Sequence, residues 1–312
     1  MHVLVTGASG FIGSALRFKL LEDKRYVVRS AYRGDPGNGV GMFGGCDLSA
    51  STNWSVALAG CDAVIHTAAR AHIVNDSVAN PLSEFRRVNV DGTLALARQA
   101  ISAGVHRFIF ISSIGVNGSY SADVPFSEES IPSPHANYAL SKLEAERGLV
   151  NLVAGTNMDL VIIRPPLVYA ANAPGNFKRL LALIASGVPL PLGYIRNQRS
   201  MIALENLVSF IIRCLEHPAA ANELFVISDG DAVSTPDMVR LIAEGMGCRP
   251  RLISLPSSWL RIAAFLVRKE AVYIQLCNSL VIDPSKAYHR LGWVPAVTTA
   301  DALVKAGREY LA

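Results

Sequence analysis

The stretch Thr6-Gly7-Ala8-Ser9-Gly10-Phe11-Ile12-Gly13, entered directly from the apolar run His2-Val3-Leu4-Val5, decides the fold. An apolar run that ends in three glycines at this spacing and opens a helix reads as strand, tight turn and helix start. Gly7 permits the turn, Gly10 lets the backbone approach a pyrophosphate, and Gly13 lets the helix pack closely on the sheet. The N–H groups at the helix start then face the negative charge. The motif predicts a dinucleotide site at Gly7, Ser9, Gly10, Phe11, Ile12 and Gly13.

Outward from this turn, short apolar runs alternate with helical periodicity. Strands are expected at 3–5, 27–32, 63–66, 108–111 and 160–163, and helices over 12–21, around 54–58, over 81–103 and over 138–152. Such alternation implies a parallel sheet covered on both faces. After Arg164 the texture changes. Pro165, Pro166, Pro174, Pro189 and Pro191, with Gly175, Gly187 and Gly193 among them, mark a loop-rich segment expected to form a separate lobe. Helical periodicity returns over 204–215, and a strand over 224–228. Ser234-Thr235-Pro236-Asp237 then reads as a helix start, with Thr235 as N-cap and Pro236 at the first helical position. The predicted fold class is α/β: a Rossmann-like, doubly wound parallel sheet with a smaller C-terminal substrate lobe. The dinucleotide-binding domain is expected over 1–164, with 201–230 returning to it, and the lobe over 165–200 and 231–312.

Bulk properties restrict the partners. The 312 residues are 51% hydrophobic and 17% charged, which supplies a core and argues against disorder. The formal charge of +4 suits an anionic small molecule and is too weak and scattered for nucleic acid. Five cysteines, Cys46, Cys61, Cys214, Cys248 and Cys277, are widely spaced with no C-x-x-C, so neither a disulfide scaffold nor a metal site is expected. No signal peptide or charge-free spanning stretch is read, and a cytoplasmic protein is expected. The apolar segment 259–267, interrupted by Arg261, reads as a packed amphipathic helix, with contact to a membrane surface as the alternative.

The end of the second strand addresses cofactor choice. NAD-selective sites place an acid there to bind the ribose hydroxyls. This chain has Ala31-Tyr32-Arg33 instead. Arg33 suits a 2′-phosphate and favours NADP(H) over NAD(H), while Asp35 nearby keeps NAD in play. Asp47-Leu48 is placed to meet an adenine ring. The small residues Ala68 and Ala69, after His66-Thr67, let backbone come close to the cofactor, and His66 itself is taken as a structural hydrogen-bonder.

At the other end of the groove, Tyr138 and Lys142 stand four residues apart, on one face of a helix. A phenol with an ordinary pKa near ~10 needs help to exchange protons near neutrality. A cation at about 4 Å contributes roughly 4 kcal/mol at an effective dielectric of about 20. Ser112-Ser113 follows the strand over 108–111, at the carboxyl end of the sheet where ligands of such folds bind. Ser113 is placed to hydrogen-bond the oxygen that Tyr138 protonates. Asn89 is a candidate to hold Lys142 or a water, or else to fill a capping or buried polar role.

These motifs resemble the extended short-chain dehydrogenase/reductase family, in its NAD-dependent epimerase/dehydratase branch. The matching pieces are the glycine turn, Asp47-Leu48, 66–69, 89–93, Ser112-Ser113, Tyr138 with Lys142, and Arg164-Pro165. The resemblance implies catalytic roles for Tyr138, Lys142 and Ser113. It also implies that the segment with Pro165 and Val168 holds the nicotinamide, while Lys142 binds its ribose. It further implies that Asn176 contacts the sugar or diphosphate and that Arg199 grips the diphosphate, a task suited to a guanidinium fork. Ser112, Ser113 and Tyr138 complete the expected substrate contacts. The resemblance also implies a small nucleotide sugar, UDP-linked, as the partner, and a homodimer is usual for such folds.

The residues after Ser113 narrow the reaction. Family dehydratases carry an Asp-Glu pair there, whereas Ile114-Gly115 cannot transfer protons, so C4 redox chemistry remains. Ser112 to Gly118, Pro189 to Gly193 and Asn197 to Ser200 resemble reductases of UDP-4-keto-6-deoxy-N-acetylhexosamines, which make UDP-N-acetylquinovosamine-type precursors of surface polysaccharide. Gly115, Ala170-Ala171 and Gln275 depart from that group's Lys, Gly-Pro and Arg. The leading expectation is therefore NAD(P)H-dependent reduction of a C4 ketone. The alternatives are a UDP-sugar 4-epimerase with tightly bound NAD and a non-catalytic NADP-binding protein.

Overall fold

A computed structural model describes residues 1–35, 37, 39–71, 80–266 and 270–311. Seven parallel strands form one sheet in the order β3-β2-β1-β4-β5-β6-β9. They are β1 (His2–Thr6), β2 (Val27–Ala31), β3 (Met42–Phe43), β4 (Ala63–His66), β5 (Arg107–Ile111), β6 (Asp159–Arg164) and β9 (Glu223–Val226). A separate parallel pair joins β7 (Leu167–Tyr169) to β8 (Met201–Ala203). The strand order reverses between β1 and β4, which puts the crevice for a ligand beyond Thr6 and His66.

The alternation within each strand builds two cores. Val3, Val5, Ile65, Ile109, Ile111, Val161 and Ile163 face one side, against Leu16 and Leu20 of α1 (Phe11–Leu21). Leu4, Val64, Phe108, Phe110, Leu160 and Ile162 face the other. There they meet α2 (Ser55–Leu58), then Leu96, Ala97 and Ala100 of α4 (Thr93–Ser102), and Ala145 and Leu149 of α5 (Asn137–Val153). Both faces are covered, so the strands read as nearly continuous apolar runs. Each fully buried Leu, Ile or Phe contributes about 1.5–3 kcal/mol.

The expected single helix over 81–103 is three pieces: α3 (Pro81–Arg86), a π-helical stretch (Arg87–Gly92) and α4. Asn80 caps α3 by accepting from the Ser83 N–H, with Pro81 behind it. The wider π turn ends at Gly92, where a β-carbon would lie 2.8 Å from the Leu48 carbonyl carbon. Close approach to the 47–49 backbone, which periodicity does not encode, accompanies the change of pitch.

Beyond Arg164, α6 (Asn176–Ala185) contributes Phe177, Leu180, Leu181 and Ile184 to a third core. Met238, Val239 and Ile242 of α8 (Thr235–Gly245) and Leu303 and Ala306 of α12 (Thr299–Leu311) complete it. α8 and α12 cross at glycines: a β-carbon on Gly245 would lie 1.9 Å from the Val304 carbonyl oxygen, and one on Gly307 2.1 Å from that of Ile242. Two further helices, α9 (Ser257–Leu266) and α10 (Glu270–Cys277), form a hairpin; the expected segment 259–267 ends with Val267 outside the described residues.

Between these pieces the chain returns to the sheet. α7 (Leu204–Glu216) buries Leu207, Val208, Phe210, Ile211 and Cys214 in the first core, and Ala287 and Leu291 of α11 (Ser285–Leu291) join them. Trp293 meets Phe210 edge-on at 5.0 Å between ring centres. The cap of α8 is Ser234, one residue before the expected Thr235. Ser234 Oγ accepts from the Asp237 N–H at 3.2 Å. The Thr235 hydroxyl donates instead to the Leu276 carbonyl at 2.6 Å, a distant partner that draws it into the interior.

Candidate active site

The glycine turn is shaped as the sequence requires. Gly7 has φ +69°, and a β-carbon there would lie 2.8 Å from the Ala68 nitrogen. One on Gly13 would lie 2.1 Å from the Gly7 carbonyl oxygen, so α1 can approach β1 only with glycine at that position. Gly10 differs: among the described residues its only neighbour within reach is the Gly7 oxygen at 3.1 Å, and it is exposed beside Ser9. Among the described residues no side chain caps α1. An uncapped helix start beside an open glycine cradle fits the pyrophosphate of a dinucleotide. Phe11 and Ile12 are half-buried where α1 begins.

The rim of this cradle is fixed by hydroxyls. Thr67 Oγ1 donates to the Thr6 carbonyl at 2.7 Å. His66 is fully buried, with Nδ1 2.7 Å from Thr6 Oγ1 and Nε2 2.9 Å from Thr93 Oγ1. Burial, and then the nearby Lys142 charge, push its pKa down to about 3, so it is a neutral structural link. Ala68 and Ala69 are half-buried beside it. Arg33 is exposed just past β2, and Asp47 is exposed too. Leu48 points into the core instead, against Gly92, so its side chain does not line the groove. Pro165 is buried, with its carbonyl accepting from the Ile114 N–H at 2.9 Å, and Val168 is half-buried in β7.

Lys142 is the centre of the other end of the groove. It is 1% exposed, and its Nζ donates to the Ile111 carbonyl at the end of β5, at 2.8 Å. The ammonium stands 4.4 Å from the Phe110 ring centre and 5.9 Å from that of Tyr138. Burial pushes its pKa down to about 7, against the pull of Glu146. Burial also pushes the Tyr138 phenol up to about 12. Ser113 follows Ile111 by two residues, and its Oγ accepts from the Gly115 N–H at 3.1 Å. A β-carbon on Gly115 would touch both Ser113 Oγ, at 3.3 Å, and Ala139 Cβ, at 3.4 Å. The end of β5 and the first turn of α5 thus bring Ser113, Tyr138 and Lys142 to one locus.

Two expected residues do other work. Asn89 does not hold Lys142. Its side chain accepts from the Arg70 N–H at 2.7 Å and donates to the Arg70 carbonyl at 3.1 Å and to Ser141 Oγ at 3.0 Å. It occupies the buried polar role and ties the segment after β4 to α5. Ser112 does not face the groove. It is 3% exposed and donates to Glu146. Successive residues of an extended segment point to opposite sides, so Ser113 and Ser112 cannot both line one groove.

Glu146 is a buried residue beside the site that the sequence pattern did not single out. It forms a buried pair with Arg164, at 2.9 Å to Nε and 2.5 Å to the Nη2 nitrogen. The remaining guanidinium nitrogen donates to Asn117 Oδ1 at 3.0 Å. This network locks α5, the end of β6 and the turn after Ser113 to one another. Its signal was present: Tyr138, Lys142 and Glu146 fall at i, i+4 and i+8 on one helix face.

In the lobe, Arg199 is half-buried. Its backbone pairs with Val233, and its guanidinium donates to the Asn278 carbonyl at 3.0 Å. Among the described residues no carboxylate pairs with it, and burial lowers its pKa, so an anion would relieve it. Asn176 is exposed at the start of α6. It donates to Gln275 and accepts from Arg179 at 3.3 Å. The neighbouring Asn197 is wholly structural, bonded to Thr235, Leu276 and Asn278. Among the described residues no helix is long and apolar enough to cross a membrane.

Comparison with known proteins places this geometry. Residues 3–228 match the NAD dependent epimerase/dehydratase family. The chain is 39% identical over 312 residues to a UDP-glucose 4-epimerase of Vibrio cholerae, covering 99% of this chain and 95% of that one. It is 32% identical over 248 residues to the N-acetyl-alpha-D-glucosaminyl-diphospho-ditrans,octacis-undecaprenol 4-epimerase of Escherichia coli O157:H7, covering 78% and 71%. The solved structure of MoeE5 in complex with UDP-glucose and NAD superposes with a TM-score of 0.79 at 26% identity, over 100% of both chains.

Proposed function

The chain belongs to the NAD dependent epimerase/dehydratase family, and on that premise we propose that it interconverts the C4 epimers of a UDP-linked hexose with NAD retained in its groove. The observation that carries this reading is the locus of Lys142, Tyr138 and Ser113. A buried ammonium is anchored to the end of β5, 5.9 Å from the centre of the phenol ring, with the Ser113 hydroxyl in the turn that follows β5. Two curated relatives that invert C4 of a diphosphate-linked sugar support epimerisation over the C4 reduction expected from sequence.

The glycine cradle, the uncapped start of α1 and the 165–168 segment would hold the dinucleotide. When bound, NAD would supply the hydride acceptor and, once reduced, the hydride donor to the opposite face of the same carbon. The chain's own part is the proton. Tyr138, as phenolate, takes the C4 hydroxyl proton and gives it back when the alcohol reforms. Burial by itself pushes the phenol up, so the phenolate depends on the Lys142 charge beside it and on the positive charge that an oxidised nicotinamide would bring. Ser113 orients the oxygen. Arg199 is the cation for the diphosphate.

Arg33 favours a second reading, NADPH-dependent C4 reduction, because it stands exposed where a 2′-phosphate would lie. Denaturing the purified protein separates the two. Epimerisation predicts about one NAD released per chain, and UDP-sugar C4 interconversion without added coenzyme. An empty groove, with NADPH consumed on a 4-keto sugar nucleotide, would establish the reductase. Tyr138→Phe is expected to lower turnover roughly 10²–10⁴-fold while NAD stays bound. Full turnover in that variant would remove Tyr138 from the chemistry.

A further inference from the structure

The α9–α10 hairpin turns its apolar side outward. On α9, Trp259, Ile262 and Leu266 fall at i, i+3 and i+7, with Phe265 beside them, and all four are at least 60% exposed. Leu260 points the other way and packs against the third core. The helix is therefore held by its inner side and leaves a continuous apolar stripe in water. Ile262 and Phe265 also line a groove shared with Tyr273 and Ile274 of α10. A contiguous stripe of this kind marks an interaction surface, not scattered surface residues.

Charge decides the occupant. Between positions 249 and 270 the sequence carries five cations, Arg249, Arg251, Arg261, Arg268 and Lys269, against one acid, Glu270, at the start of α10. A second copy docking by the same face would set like charges against each other. An anionic lipid surface complements both features: cations for the headgroups and Trp, Phe, Ile and Leu for the acyl boundary. α9 has only 10 residues and is too short to span a bilayer, so it would lie in the interface plane.

We propose that the α9–α10 hairpin docks this protein on the surface of an anionic lipid bilayer through Trp259, Ile262, Phe265 and Leu266. This stands independently of the reaction proposed above.

The test uses the full chain with vesicles of phosphatidylethanolamine and phosphatidylglycerol, and with vesicles of phosphatidylcholine alone. Trp54 and Trp293 are buried, so a change in tryptophan emission reports Trp259. Expected are a blue shift and co-sedimentation with the anionic vesicles, weakened by high salt. The double variant Ile262→Ser with Phe265→Ser should lose at least about tenfold in binding. Both side chains are exposed, so its circular dichroism and thermal midpoint should match the parent. Three results would overturn the proposal: no binding to anionic vesicles, equal binding to both vesicle types, or a parent dimer that the double variant makes monomeric without any vesicle binding.

Discussion

His66 shows how a single residue couples this fold to pH. Both ring nitrogens are spent on threonine hydroxyls inside the core, and the folded chain accepts a proton only near pH 3. The unfolded chain accepts one near pH 6.5. Between those values the unfolded state binds more protons, so stability falls as pH drops through about 6.5. At pH 5 the loss from this residue is about 2 kcal/mol relative to pH 8. Urea unfolding at pH 8 and pH 5 checks it: His66→Gln, which keeps a donor and an acceptor, should show a drop smaller by about that amount. An unchanged drop would assign the acid sensitivity elsewhere. At the same scale, Lys142 and Tyr138 are pushed toward neutrality from opposite sides, and both shifts arise from burial.

Among the elements, the β1–α1 turn assigns different tasks to glycines that look alike in sequence. Gly13 is closed in by the Gly7 carbonyl, whereas Gly10 faces outward with φ −77°, which any residue adopts. Gly13→Ala must push α1 off the sheet and is expected to cost about 1–3 kcal/mol, read by urea unfolding. Gly10→Ala, whose β-carbon would press on the Gly7 oxygen at 3.1 Å, should cost less, under about 1 kcal/mol, and mainly weaken NAD binding, read by calorimetry. Equal stability losses in the two variants would contradict the cradle as drawn. The π turn before α4 and the glycine crossing of α8 on α12 follow the same rule: backbone comes close only where a β-carbon is missing.

Across the whole molecule, Asp229 is the hub between the sheet and the lobe. Its carboxylate accepts from the Ala203 N–H at 3.0 Å, Asn206 Nδ2 at 2.7 Å and the Tyr169 hydroxyl at 2.8 Å. Asn206 in turn accepts from the Ala296 and Val297 N–H groups. Replacing Asp229 with Ala would leave several buried donors unpaired, at a cost of at least about 3 kcal/mol. Amide exchange should therefore accelerate together in β7, β8 and the 296–297 segment, by about 10²-fold. Faster exchange confined to the neighbours of residue 229 would show that the hub is only local.

The sequence by itself determined the parallel α/β sheet, the glycine turn and the spacing of Tyr138 with Lys142. Each is a short-range pattern: a short apolar run between turns, a period of 3.6, or a turn that only glycine fits. The one-residue shift in the α8 cap and the inward turn of Leu48 lay beyond that range, because Leu276 and Gly92 are far along the chain. The tertiary structure alone decided that Ser112 serves Glu146, that Asn89 clamps Arg70 to Ser141, and that Arg199 is held through Val233 and Asn278. A polar side chain's task is fixed by which partner the fold brings within hydrogen-bond reach, and no local period carries that information.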